Sequence, residues 1–146
     1  MTAERILEKK GHRVLSVDEG VTLKVVITEL ARHRVGVLLI TNASGDTIGI
    51  ISERDVIALL AEDPGAMQRT AASMMTGLLV KCSLDDSEAD MMKRMAKARV
   101  RHLPVHHAGK VVGLVSARDI MNLRMEKLQE RMQDIMRKVA RKTRWA

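Results

Sequence analysis

Two serine–aspartate pairs hold the residues of this chain whose types and spacing could do chemistry. Ser52-Glu53-Arg54-Asp55 and Ser116-Ala117-Arg118-Asp119 set the same serine, arginine and aspartate at the same separations, 64 positions apart, with Gly49 and Gly113 three residues ahead. At the start of a helix, Ser-x-x-Asp is a capping box: the serine accepts from an amide one turn in and the acid reaches back. The same geometry can hold a ligand, because a helix N-terminus offers unpaired amides and a partial positive charge that suit a phosphate. Ser52 and Ser116 can add a hydroxyl there, and Arg54 and Arg118 can add charge-assisted bonds. A carboxylate beside a phosphate is repelled, so Asp55 and Asp119 suit a neutral diol such as a ribose. Glycine at 49 and 113 would let the backbone come close to such a ligand.

Presenting that turn twice requires the surrounding elements to repeat, and the hydrophobic pattern says that they do. A short helix at 3–10, stopped by Gly11, precedes a strand at Val14, Leu15 and Val17. Residues 21–32 have helical periodicity, capped at Asp18 or Thr22, and the apolar run 35–41 predicts a buried strand. Turn residues at 42–46 lead into a return strand at 48–51, and Ser52 opens a helix to about Leu60. After a helical linker at 67–75 the order recurs: strand 78–82, helix 86–97 with Ala89, Met92, Met95 and Ala96 on one face, strands 103–106 and 110–115, then a helix from Ser116. The offset is 65 up to the hairpin turn and 64 after it, a length change confined to a loop, as a duplication should show. The expected fold is therefore α/β (α+β), with tandem β-α-β-β-α repeats at 1–66 and 67–123 packed about a pseudo-two-fold axis. Residues 124–146 are expected to form a basic amphipathic C-terminal helix. Two related clefts follow, one near each Ser-x-Arg-Asp.

These residues resemble a CBS domain pair, or Bateman module, over about residues 3–123. The family's Gly-aliphatic-x-Ser/Thr-x-x-Asp/Asn pattern is matched by GIISERD and GLVSARD, and its Leu-Pro-Val strand by Arg99 to Val105, RVRHLPV. The first copy departs from it, with VGVLLIT and no proline. The resemblance, of the stand-alone bacterial type, implies binding of an adenosine ligand: AMP, ADP or ATP, NAD(H), or S-adenosylmethionine. It puts ribose on Asp55 and Asp119, and phosphate on Ser52, Arg54, Ser116 and Arg118. Adenine would be read in the first site by Ser16, Val17 and Asp18 with Val35, Gly36 and Val37. In the second, it would be read by Lys81, Cys82 and Ser83 with Val100, Arg101 and His102. A homodimer and an unidentified regulated protein are the implied partners.

Composition narrows the remaining classes. The 146 residues are enough for one domain-sized core, yet they include no Phe or Tyr and one Trp, so stacking platforms for single-stranded nucleic acid are missing. Of the net charge of +7, the segment 126–146 supplies +4, from seven Lys/Arg against three Asp/Glu. The tail 137–144, with five positive charges, is the one place where nucleic-acid binding remains an alternative. One cysteine, no signal-like apolar start and no membrane-spanning run predict a cytoplasmic protein. His102, His106 and His107 offer no third or fourth ligand at metal spacing and read as solvated hairpin histidines. Cys82 reads as a small buried residue rather than a nucleophile. With no Ser-His-Asp order, paired catalytic carboxylates or Walker loop, the chain is expected to be a sensor without catalytic cofactor. A ligand-free dimerisation or adaptor module is the alternative. Met121, Met125, Leu128, Met132, Ile135 and Val139 alternate spacings of four and three, the period of a coiled-coil seam.

Overall fold

The computed structural model describes residues 1–78 and 80–143. Leu79, within the expected strand 78–82, and residues 144–146 of the basic tail lie outside the described residues.

Helix α1 (Ala3–Lys10) starts at Thr2, whose side chain accepts from the Arg5 amide, and stops at Gly11, where φ is 93°. Strand β1 (Ser16–Asp18) runs parallel to β2 (Val37–Thr41), with α2 (Leu23–His33) crossing between them. β2 is buried at every position but its last, which is why its sequence is a continuous apolar run. It turns through 42–46, where Asn42 Oδ1 accepts from the Ser44 and Asp46 amides, and pairs antiparallel with β3 (Thr47–Ser52). Helix α3 (Glu53–Glu62) follows. The expected helical linker is instead a 3-10 turn (Pro64–Gln68) and one turn of helix, α4 (Ala71–Met74). Then β4 (Thr76–Gly77) closes the first sheet against β3, in the order β1-β2-β3-β4. The second copy runs β5 (Cys82–Ser83), α5 (Glu88–Ala98), β6 (His102–His107), β7 (Lys110–Ser116) and α6 (Ala117–Thr143), with sheet order β5-β6-β7.

The duplication extends to irregularities. Helices α2 and α5 end on left-handed Arg34 and Arg99, at φ 53° and 54°, and each hairpin register shifts at matching places, Ile40/Thr41 and Val105/His106. On α5, the buried side chains are Met91 and Met95, whereas Ala89 and Ala96 are exposed, so the inward face is rotated from the expected one.

Each repeat completes its core with the helix that leads the other repeat. Ala3, Ile6 and Leu7 of α1 pack with Met91, Leu103 and Val115 in the second core. Ala71 and Met74 of α4 pack with Leu23, Leu38 and Ile51 in the first. The isolated bridges Thr2–Ser87 and Thr22–Thr70 repeat this exchange in the backbone. The paired glycines owe their conservation of type within the chain to it. A Cβ on Gly113 would stand 2.6 Å from Leu7 Cδ1, and one on Gly49 would overlap the Met75 sulfur. The expectation that these glycines make room for a ligand is corrected: they make room for the exchanged segments.

Helix α6 buries Ile120 but exposes most of its seam, from 50% at Met121 to 64% at Met132. Arg124 Nε meets Glu88 Oε1 at 3.0 Å, and Lys9 pairs with Glu126, so the helix is pinned to the body as far as residue 126. Among the described residues, no helix is long and apolar enough to cross a membrane.

Candidate functional site

Both Ser-x-x-Asp turns are capping boxes in fact. Asp55 Oδ2 accepts from the Ser52 amide at 2.8 Å and the Ser52 hydroxyl at 2.6 Å, while the Asp55 amide donates to Ser52 Oγ at 3.2 Å. At the second turn the corresponding distances are 2.8, 2.8 and 3.1 Å. The bonds that each carboxylate accepts all fall on Oδ2, and among the described residues Oδ1 of each aspartate accepts none, so capping and hydrogen bonding to a sugar are compatible. The helix amides are less free than expected. Glu53 N donates to the Gly36 carbonyl and Ala117 N to that of Arg101, at 3.0 and 2.9 Å, so the first and third amides of each helix are already bonded. An anion here depends on side chains more than on the helix ends.

Lys10, which belongs to none of the motifs read from the sequence, reaches across from α1. Its Nζ donates to Asp119 Oδ2 at 2.7 Å and to the Leu114 carbonyl at 2.8 Å. Burial pushes the Asp119 carboxyl up, but the hydrogen bonds from Lys10 and from the Ser116 amide and hydroxyl outweigh it and hold it below the usual carboxylate value. His102 is half-buried between the motifs rather than solvated. Burial drives its pKa down, Asp119 opposes this, and Lys10 and Arg101 reinforce it, so the ring favours the neutral form. His106 is partly buried and His107 exposed. Among the described residues, no group of three His, Cys, Asp or Glu could hold a metal.

Two clefts flank these turns. The larger, about 590 Å³, is lined by Ser52 and Asp55 together with Ser116 and Arg118; the smaller, about 390 Å³, by Ser116 and Asp119 with Lys10 and Arg13. Both volumes fall in the range of about 300–1,000 Å³ usual for small-molecule sites. Val35, Gly36, Val37 and His102 line both clefts. Val100 and Arg101, expected beside Asp119, line the larger cleft with Asp55 instead. Ser16, Val17, Asp18, Lys81, Cys82 and Ser83 line neither; Val14 and Leu15 take that place in the smaller cleft, and Val80 in the larger. The parallel register explains the displacement. Ser16 pairs with Leu39 and Cys82 with Val105, so the residues beside the cleft ends of β2 and β6 lie before β1 and β5 begin. Cys82 sits in the second core, 3% exposed, and burial raises its thiol pKa to about 11, with Asp86 adding to the rise and Arg94 opposing it.

The fold and site together define a duplicated α/β module whose paired clefts open beside symmetry-related serine–aspartate turns. Comparison with known proteins names it: the CBS domain family matches residues 5–62 and again 71–126, and the chain belongs to that family. The CBS-domain containing protein ATU1752 from Agrobacterium tumefaciens is similar in structure, with a TM-score of 0.81 and 28% identity, covering 84% of this chain and 92% of that one. CBS domain protein PAE2072 from Pyrobaculum aerophilum, solved in complex with AMP, shares the fold at a TM-score of 0.73 and 24% identity, over 82% and 89% of the two chains. In sequence, the CBS domain-containing protein CBSCBSPB3 of Arabidopsis thaliana is 28% identical over 114 residues, 77% of this chain. The chain spans only 20% of that relative's length.

Proposed function

We propose that this chain is a regulatory, non-catalytic module that binds an adenosine compound (AMP, ADP, ATP or NAD(H)) in the clefts beside its two Ser-x-Arg-Asp turns. The observation that carries the reading is the pair of capping aspartates, each with Oδ1 unused at the edge of a cleft of ligand size. Oδ1 can accept from a ribose hydroxyl while Oδ2 keeps the helix start intact. The AMP complex of the similarly folded PAE2072 supports the choice of ligand class. Because the clefts lie where the two repeats meet, a ligand there can bias how the repeats sit, provided that it binds the two arrangements unequally.

The test is thermal stabilisation. A ligand at 100 times its Kd adds about 2.7 kcal/mol to the folded state. AMP, ATP or NADH at millimolar concentration should raise Tm in the wild-type protein and fail to do so in Asp55→Ala/Asp119→Ala. No shift with any of the three would sink the reading for those ligands.

A second reading, an adaptor that works by self-association, is favoured by the α6 seam. Met125, Leu128 and Ile135 are 54%, 56% and 60% exposed at coiled-coil spacing. The two readings are compatible, since a dimer of such modules could be the unit whose shape the ligand sets.

A further inference from the structure

The larger cleft carries a charge imbalance that the smaller one lacks. Arg34, Arg54, Arg99, Arg101 and Arg118 line it against two carboxylates, Glu53 and Asp55, a net of three positive charges. Among the described residues, none of these five arginines forms an ion pair, whereas Arg32, Arg94 and Arg124 elsewhere each meet a carboxylate. Five guanidiniums around one opening repel one another, so the arrangement costs the empty protein stability and suits a multiply charged anion. The smaller cleft sets Lys10 and Arg13 against Asp119, and Lys10 is already bound to that carboxylate.

The imbalance arises where the internal repeat is broken. The repeat offset matches Arg34 with Arg99 and Arg54 with Arg118, but it matches Arg101 with Gly36. A Cβ on Gly36 would stand 3.7 Å from His102 Cε1, so this side of the pseudo-axis presents backbone and imidazole where the other presents a guanidinium.

From this, and resting on the adenosine reading above, we infer that the larger cleft is a polyphosphate site. The nucleotide whose ribose meets Asp55 carries a di- or triphosphate held among Arg34, Arg99, Arg101 and Arg118, and the Asp119 cleft takes a monophosphate at most. A nucleoside monophosphate brings about two negative charges and a triphosphate about four, so the net of three is matched only by the longer chains. Guanidiniums bind phosphate oxygens in bidentate fashion, which suits successive phosphates better than a single one. Arg54 acts as a positioning residue: its Nη1 donates to the Arg99 carbonyl at 3.3 Å and ties the start of α3 to the end of α5.

The experiment is calorimetric titration of the full chain, free of divalent cations, with ATP, AMP and inorganic tripolyphosphate. ATP should bind at least about tenfold tighter than AMP, with the gap narrowing as salt rises. In Arg101→Ala/Arg118→Ala the gap should close, ATP losing more affinity than AMP, and Arg32→Ala should leave it unchanged. Equal affinity for ATP and AMP in the wild type, or a gap that survives the double variant, overturns the inference while leaving the adenosine reading standing. Should tripolyphosphate bind as tightly as ATP, with Asp55→Ala affecting neither, the arginine site stands and the adenosine reading falls. No binding of any of the three overturns both.

Discussion

Leu7→Ala tests whether the exchanged α1 is part of the second core or an appendage to it. Leu7 is fully buried among second-repeat residues, and its methyls lie against Gly113 of β7. Core Leu→Ala changes cost about 2.7–5.0 kcal/mol, and more when the hole cannot collapse. Here one wall is the backbone of a paired strand, held by Val105 opposite Gly113, so little collapse is available. The expected loss is about 3–4 kcal/mol, a large share of the roughly 5–15 kcal/mol typical of a domain. Urea unfolding followed by circular dichroism should show a lower midpoint with unchanged slope. Gly113→Ala sharpens the test. Alone it overpacks the site and should cost about 1–3 kcal/mol. In the Leu7→Ala background, the added methyl enters the vacated space and should cost nothing or restore stability, giving a coupling of the opposite sign. A Leu7→Ala loss below about 1 kcal/mol, or simple additivity of the two changes, would refute the exchanged packing.

Three further outcomes follow from the site and its supports. Asp119 is held below its ordinary pKa, so its contribution is complete above the unfolded value of about 3.9 and is lost as pH falls through the folded one. The stability difference between wild type and Asp119→Asn should therefore shrink below about pH 4. Asp86 shifts in the same direction, because bonds from Ser83 and Arg94 overcome the upward push of burial, so only the difference between the two proteins reports Asp119. A pH-independent difference would count against the Lys10–Asp119 contact. Cys82, with its thiol pushed to about 11, should react with a disulfide reagent at pH 8 only as fast as the protein opens, and at the free-cysteine rate in urea. Labelling of the native protein at the free rate would show that it is not buried. Met132→Glu/Ile135→Glu places charge on the exposed α6 seam and should reduce the sedimentation-derived mass without lowering Tm. An unchanged mass would remove the adaptor reading.

The sequence made the duplication legible because a hydrophobic period and a four-residue turn survive wherever an element folds. It located Ser52, Asp55, Ser116 and Asp119, since a cap is a local structure whose partners lie within one turn. The residues it offered on β1 and β5 for reading adenine lie outside both clefts, because parallel register is set by packing between distant segments. The cleft edge lies two residues before Ser16, at Val14, and one before Lys81, at Val80. The arginine cluster was also out of reach, since Arg34 and Arg99 are ordinary helix ends until the repeats meet.

What the chain's residues determined alone is therefore the inventory: two β-α-β-β-α copies, two capped aspartates and one overlong C-terminal helix, all encoded within a few turns of themselves. What only the tertiary structure decided is the pairing of parts from opposite ends of the chain. It sets Leu7 on Gly113, Met75 on Gly49, Lys10 on Asp119, and Arg101 in the cleft of Asp55 rather than that of Asp119. These contacts span up to 109 residues, where no periodicity or motif carries information, and they exist because each repeat must borrow a helix to close its core.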